Sequence, residues 1–246
     1  MSSAPLAGRR ILVTGGSTGL GAALAAACAR DGAAVGIVAR NGARLEEVAA
    51  ATGAVSVACD IGDPLAAAGA VGTIVERLGG LDGLVNNAGV MLHSPVGAGY
   101  VEDWEQIFRV NVLGMLHVTH AALPHLRAAQ DADLMTIAST SADRVTAADY
   151  SVYAATKAAQ ARIVDGLRLE LVDAPHIRVS LVKPGFMNTP GLGIGTRSAE
   201  LQQAIVGLKE RIGLSPATVA EQVGHLLSLP WEVTIPELTI VPSARP

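Results

Sequence analysis

Apolar and polar residues alternate along this chain on two scales. Short β-branched runs, apolar nearly throughout, occur at Ile11–Thr14, Ala34–Ala39, Val55–Cys59, Leu84–Asn86, Leu134–Ser139, Arg178–Val182 and Leu238–Val241. Between them lie longer Ala- and Leu-rich stretches of helical period, at 19–31, 43–51, 64–78, 101–128, 153–172 and 216–228. A run with no polar face suits a strand covered on both sides. Strands that alternate with helices of this length join through right-handed crossovers into a parallel sheet. The pattern predicts an α/β, doubly wound fold: one domain over residues 1–246, with a mostly parallel seven-stranded sheet and helices on both faces. One stretch breaks the rhythm. Residues 186–213 hold Pro190, Gly191, Gly193 and Gly195 ahead of an amphipathic run, Ala199–Ile212, and read as a lid over a site at the strand ends.

Composition narrows the function classes. Of the 246 residues half are hydrophobic and 16% charged, enough apolar side chain for a large core. Aromatics make up 3%, the net charge is -4 and no basic run occurs, which argues against a nucleic-acid partner. No apolar run reaches the roughly 18 residues of a membrane span, and the first residues lack a signal-like apolar core, so a cytoplasmic protein without a membrane partner is expected. Cys28 and Cys59 are far apart and read as reduced thiols. His117, His120 and His125 share one predicted helix without an accompanying carboxylate or thiol, and no metal is expected. His93, after the fourth strand, reads as a residue at the substrate mouth or as a solvated loop side chain.

The first strand runs straight into Thr14-Gly15-Gly16-Ser17-Thr18-Gly19-Leu20-Gly21 and then into an Ala-rich helix. Gly15 permits a tight turn; Gly19 and Gly21 let the helix approach both a pyrophosphate and the strand; Ser17, Thr18 and Leu20 complete the loop. The helix N-terminus then offers free N–H groups and a positive dipole end to phosphates. This is the Rossmann arrangement, although the glycine spacing differs from GxGxxG. Further nucleotide contacts are expected where ligands bind doubly wound sheets, at the carboxyl ends of the strands. Asp60 and Ile61 close the third strand and suit the edge and face of an adenine; Asn87, Ala88 and Gly89 close the fourth and suit its ribose. A carboxylate at the end of the second strand would accept from a ribose 2′-hydroxyl. This chain has Ala39 and then Arg40, whose guanidinium suits a 2′-phosphate instead, so NADP(H) is the expected cofactor.

Tyr153 and Lys157 stand four residues apart on one helix face. A phenol titrates near 10 and shuttles protons poorly at neutral pH; a fixed cation beside it, Lys157 together with an oxidised nicotinamide, is expected to lower that value. The glycine loop, Asn86–Gly89, Tyr153 with Lys157, and Pro184-Gly185 together resemble the short-chain dehydrogenase/reductase family over nearly the whole chain. The resemblance implies a catalytic set of Asn111, Ser139, Tyr153 and Lys157. Tyr153 would be the acid in reduction and the base in oxidation, with Lys157 also on the nicotinamide ribose. Asn111 would hold a water that links Lys157 to solvent; an Asn in the apolar run Val110–Gly114 independently suggests a buried polar task. Counting back thirteen residues from Tyr153 reaches Thr140, whereas aligning on the fifth strand selects Ser139, the preferred choice of the two. The resemblance also assigns Pro184, Gly185, Met187 and Thr189 to the nicotinamide carboxamide loop.

These readings imply an NADP(H)-dependent oxidoreductase acting on a small-molecule carbonyl or alcohol, of the carbonyl reductase or alcohol dehydrogenase type. By likeness to the family it would be a homodimer or homotetramer. Two alternatives remain: a nucleotide sensor, which would be expected to have lost Tyr153 or Lys157, and a non-redox lyase on the same scaffold.

Overall fold

A computed structural model describes residues 4–145, 147–193, 196 and 199–243. Its seven strands, β1 (Arg10–Thr14), β2 (Ala34–Ala39), β3 (Val55–Ala58), β4 (Gly83–Asn86), β5 (Ala132–Ile137), β6 (Ile177–Pro184) and β7 (Glu237–Ile240), form one parallel sheet in the order β3-β2-β1-β4-β5-β6-β7. The strand order reverses between β1 and β4, which opens a crevice at their carboxyl ends.

Because strand side chains alternate faces, the apolar runs feed two cores. Leu12, Leu84, Leu134 and Val179 pack under α3 (Pro64–Leu78), α5 (Met115–Ala128) and α6 (Ser151–Glu170). Ile11, Ile37, Val85 and Met135 pack under α1 (Gly19–Arg30), α2 (Gly42–Thr52) and α8 (Pro216–Ser228). The helix starts follow capping chemistry: the side chains of Asn41, Asp63 and Ser215 accept from the first-turn N–H groups of α2, α3 and α8. At α1 the N-cap residue Thr18 makes no such bond, so that helix end is left open toward the crevice.

Two predicted elements differ. The helix expected over 101–128 is three pieces: α4 (Val101–Phe108), a π-helical turn (Arg109–Gly114) and α5. Asn111 lies in this turn, and Gln160 Nε2 donates to its carbonyl at 2.7 Å. Gly114 sits in this turn because a Cβ there would lie 2.7 Å from Ile61 Cγ1. The fifth strand, expected to end at Ser139, ends at Ile137; Ser139 instead caps a short 3-10 turn, Thr140–Ala142, accepting from Ser141 N at 3.0 Å.

At the opposite, amino ends of the strands lies a buried ionic cluster. Asp133 of β5 accepts from Arg178 of β6 at 2.9 and 3.0 Å and from Arg9 at 2.7 Å. Arg178 also donates to the carbonyls of Leu229 and Val233, and its guanidinium lies 4.5 Å from the Trp231 ring centroid.

Candidate active site

The glycine turn is shaped by the strands it joins. Gly15 has φ of +71°, which a side chain disfavours, and the Gly15 and Gly16 amides donate to the Val38 carbonyl of β2. Thr14 Oγ1 accepts from the amides of Asn87 and Ala88, each at 3.0 Å, and Asn87 Nδ2 donates to Thr14 O at 2.9 Å. The ends of β1 and β4 are thus bound into one unit. Gly21 is the tightest point: a Cβ there would stand 2.0 Å from the Gly15 carbonyl oxygen. Gly21→Ala is therefore expected to force the turn open and weaken NADPH binding by tenfold or more, with a loss of about 1–3 kcal/mol in stability. Fluorescence titration and urea unfolding read the two effects separately.

From this turn a cavity of about 1190 Å³ runs along the strand ends. It is lined by Gly15, Ser17, Thr18, Leu20, Gly21, Arg40, Asp60, Ile61, Asn87, Ala88 and Gly89, and further along by Ser139, Tyr153, Lys157, Pro184, Gly185, Met187 and Thr189. Gly19 and Asn111 stand behind its wall. A Cβ on Gly19 would meet Thr189 and Pro190 at 3.6 Å, so this glycine, with φ of +56°, packs the turn against the Pro184–Thr189 loop.

Asp60 is partly committed already. Its Oδ1 accepts from Gly62 N at 3.0 Å and its Oδ2 from Arg109 at 2.9 Å. Burial works against the carboxylate, but the Gly62 amide, the Arg109 ion pair and the Arg40 charge together hold it below the usual carboxylate range. Arg40 itself is exposed at the end of β2, with the cavity before it.

The chemistry-bearing wall comes from β5, the π-helical turn and α6. Tyr153 lines the cavity, and its hydroxyl shares a hydrogen bond with Ser139; Thr140 also lines the cavity one residue further. Burial pushes the Tyr153 phenol up to about 12, with the Ser139 bond opposing the rise. The expected acidification by Lys157 is thus not present in the protein alone. The Lys157 nitrogen lies 5.8 Å from the Tyr153 ring centroid, and burial sets the direction in which the phenol shifts. Lys157 is itself buried, and burial lowers it to about 8. Its ammonium donates to Ile137 O at 3.1 Å and to Gln160 Oε1 at 3.0 Å.

Asn111 does have a buried polar task. Its side chain accepts from Val90 N at 2.7 Å and donates to Val90 O at 2.9 Å and Thr156 Oγ1 at 3.1 Å. It pins the loop after β4 to α6. Its backbone carbonyl accepts from Gln160 Nε2 at 2.7 Å.

Sequence reasoning passed over Gln160, although the signal that drew attention to Asn111, a polar residue in a buried helical stripe with Ala161, Val164 and Leu167, applies equally. It also left His93 undecided. That ring is buried, with Nδ1 3.3 Å from Asp149 and Nε2 bonded to the Tyr150 hydroxyl. Tyr150 stands edge-on to Tyr153 at 6.4 Å and lines the cavity beside it. His93 comes from a segment far from Asp149 and Tyr150, so no spacing announces the set.

The Gly-rich segment and α7 (Ala199–Ile212) contribute Gly191, Leu192, Leu208 and Ile212 to the cavity, and Lys209 donates to Thr189 O at 3.1 Å. Gly195 of that segment lies outside the described residues. No helix among the described residues is long and apolar enough to cross a membrane.

Residues 9–196 match the family model described as short chain dehydrogenase. An oxidoreductase of Staphylococcus epidermidis, itself uncharacterised, is 33% identical, with 94% of this chain and 96% of that protein aligned. Among solved structures, a short chain dehydrogenase from Burkholderia cenocepacia in complex with NADP superposes with a TM-score of 0.82 at 32% identity, covering 96% of this chain and 98% of that one. A 3-ketoacyl-(acyl-carrier-protein) reductase from Brucella melitensis, complexed with NADH, superposes at 0.84 with 30% identity and the same coverage.

Proposed function

Because the chain belongs to the short-chain dehydrogenase/reductase family, we propose that it is an NADP(H)-dependent oxidoreductase that interconverts the carbonyl and alcohol of a small molecule. The observation that carries this reading is one continuous cavity with two ends. One end has an open helix terminus, a glycine turn and Arg40; the other has the Tyr153 hydroxyl bonded to Ser139, with a buried Lys157 behind.

The residues fit a dinucleotide. The uncapped start of α1 and the turn that a Cβ at Gly15 or Gly21 would fill make a phosphate cradle, Ile61 and Gly89 flank the route, and Pro184, Gly185, Met187 and Thr189 bound its far end. When bound, the cofactor supplies or accepts the hydride. The protein supplies the rest. Ser139 and Tyr153 bind a carbonyl oxygen, Tyr153 gives it the proton that balances reduction, and Lys157 holds positive charge near the developing oxyanion. Met91, Tyr150, Leu192, Leu208 and Ile212 enclose the substrate end with largely apolar surface, which favours an uncharged ketone or aldehyde. Gly191, Leu192 and α7 act as the lid over that end.

The two family structures carry different cofactors, so the choice rests on the end of β2. Arg40 grips a 2′-phosphate there, while no carboxylate at position 39 or 40 would accept from a free 2′-hydroxyl. Arg40→Asp is expected to raise the KM for NADPH about tenfold or more and to change that for NADH far less. Equal changes for both would remove the NADP assignment. Turnover of a panel of neutral ketones and aldehydes, followed by NADPH absorbance, tests the reading as a whole; NADPH binding with no turnover of any member would favour a sensor.

A further inference from the structure

We propose that Gln160 is a positioning residue for Lys157: its amide joins the buried ammonium to the Asn111 carbonyl, keeps that ammonium charged, and leaves one of its three N–H bonds for the cleft. This rests on the reading of Tyr153 and Lys157 as the reacting pair.

Gln160 is 1% exposed and lies three residues beyond Lys157 on α6. Its orientation is dictated by what it touches. The carbonyl of Asn111 accepts from Nε2 at 2.7 Å, and the ammonium donates to Oε1 at 3.0 Å. Turning the amide over would set carbonyl against carbonyl and N–H against ammonium, so neither partner would be satisfied. The Asn111 carbonyl that it engages belongs to the π-helical turn.

Donor counting then fixes what the ammonium can do. Of its three N–H bonds, one goes to Ile137 O and one to Gln160 Oε1. The third is left for the cleft, on the side of Tyr153. Two acceptors on the ammonium also oppose the desolvation that lowers Lys157 to about 8. From its own helix the titratable group facing it is Tyr153. The other elements around it present groups that do not ionise: the Ile137 carbonyl after β5, the Gln160 amide, and Gly89 after β4, whose added Cβ would stand 3.7 Å from the Lys157 nitrogen. An amide neither gives up nor accepts a proton near neutral pH. Gln160 is therefore a clamp on the ammonium and not a carrier of protons.

The experiment needs no substrate and no cofactor. The chain has three lysines, Lys157, Lys183 and Lys209, so the free enzyme labelled with 13C-lysine gives three resolvable titrations, assigned with Lys183→Arg and Lys209→Arg. Gln160→Met, which keeps the length and removes the acceptor, is expected to lower the Lys157 midpoint by about one pH unit. Gln160→Glu, which places a carboxylate on the ammonium, is expected to raise it. A merely structural role would lower Tm in both variants and leave the midpoint where it was, which overturns the proposal. Should neither variant fold, the parent decides. With 15N-glutamine, the side-chain signal of Gln160 is expected to shift as Lys157 titrates, and a signal that ignores the titration overturns the clamp. Tyr153→Phe retaining turnover would instead sink the functional reading and leave these midpoints untouched.

Discussion

Tyr153→Phe is expected to lower kcat for carbonyl reduction by about 10²–10⁴, the range for loss of a general acid, with little change in NADPH binding. Phe keeps the ring that stands edge-on to Tyr150 and removes the hydroxyl that bonds Ser139. The sign of the pH dependence follows from the raised phenol. At about 12, Tyr153 keeps its proton throughout the neutral range, and this is the form that reduction consumes. Carbonyl reduction by the parent should therefore lose nothing to phenol ionisation between about pH 6 and 9. Alcohol oxidation needs the opposite form and should rise with pH over the same interval. Steady-state NADPH absorbance measures the two directions, with an aldehyde turned over by the parent and NADPH for one, and the corresponding alcohol and NADP+ for the other. Undiminished oxidation of NADPH by Tyr153→Phe with that aldehyde would remove Tyr153 from the chemistry.

The same residue marks where reading the sequence stops being enough. The spacing of Tyr153 and Lys157 on one helix face is a property of period alone, and it was legible. Which way the phenol shifts depends on how much protein surrounds it and how far off the ammonium is held. Gln160 and Ile137 draw the Lys157 nitrogen to its place 5.8 Å from the ring, and burial wins. The middle of the sheet was legible for a related reason: β4, β5 and β6 are buried throughout and are built mainly of apolar residues. The π-helical turn was not, because Arg109–Gly114 continues the apolar period of the helices on either side. A widened turn changes hydrogen bonding without changing which residue types fit; Gly114, pressed against Ile61, is its one trace. Ser139 and Thr140 could not be separated by counting, since the loop to Tyr153 has no fixed length. Both line the cavity beside Tyr153, and it is Ser139 that opposes the rise of its phenol. The set of His93, Asp149 and Tyr150 exists only once the loop after β4 meets the start of α6.

Asp133→Ala is expected to cost about 3–5 kcal/mol, because it removes the carboxylate and leaves the buried Arg178 guanidinium without its counter-ion. For a chain of this size that corresponds to a fall of roughly 10 °C in Tm. The carbonyls of Leu229 and Val233 still accept from Arg178, and the Trp231 ring still faces it. These satisfy N–H groups but not the charge. The cluster also has a definite place in the division of labour along the sheet. Asp133 lies near the start of β5 and Ser139 two residues beyond its end, so at about 3.3 Å per residue the two are separated by close to 20 Å. The amino ends of the strands carry ion pairs that fasten β5, β6 and the segment before β7, whereas the carboxyl ends carry the polar groups left free for ligand. Loss of the first should therefore spare the second. At a temperature where the variant remains folded, NADPH titration should give an affinity close to the parent's while urea unfolding shows the full loss of stability. A variant as stable as the parent would mean that Arg178 is neutralised by its other neighbours. A variant that is folded but no longer binds NADPH would mean that the two ends of the sheet are coupled, contrary to the separation argued here.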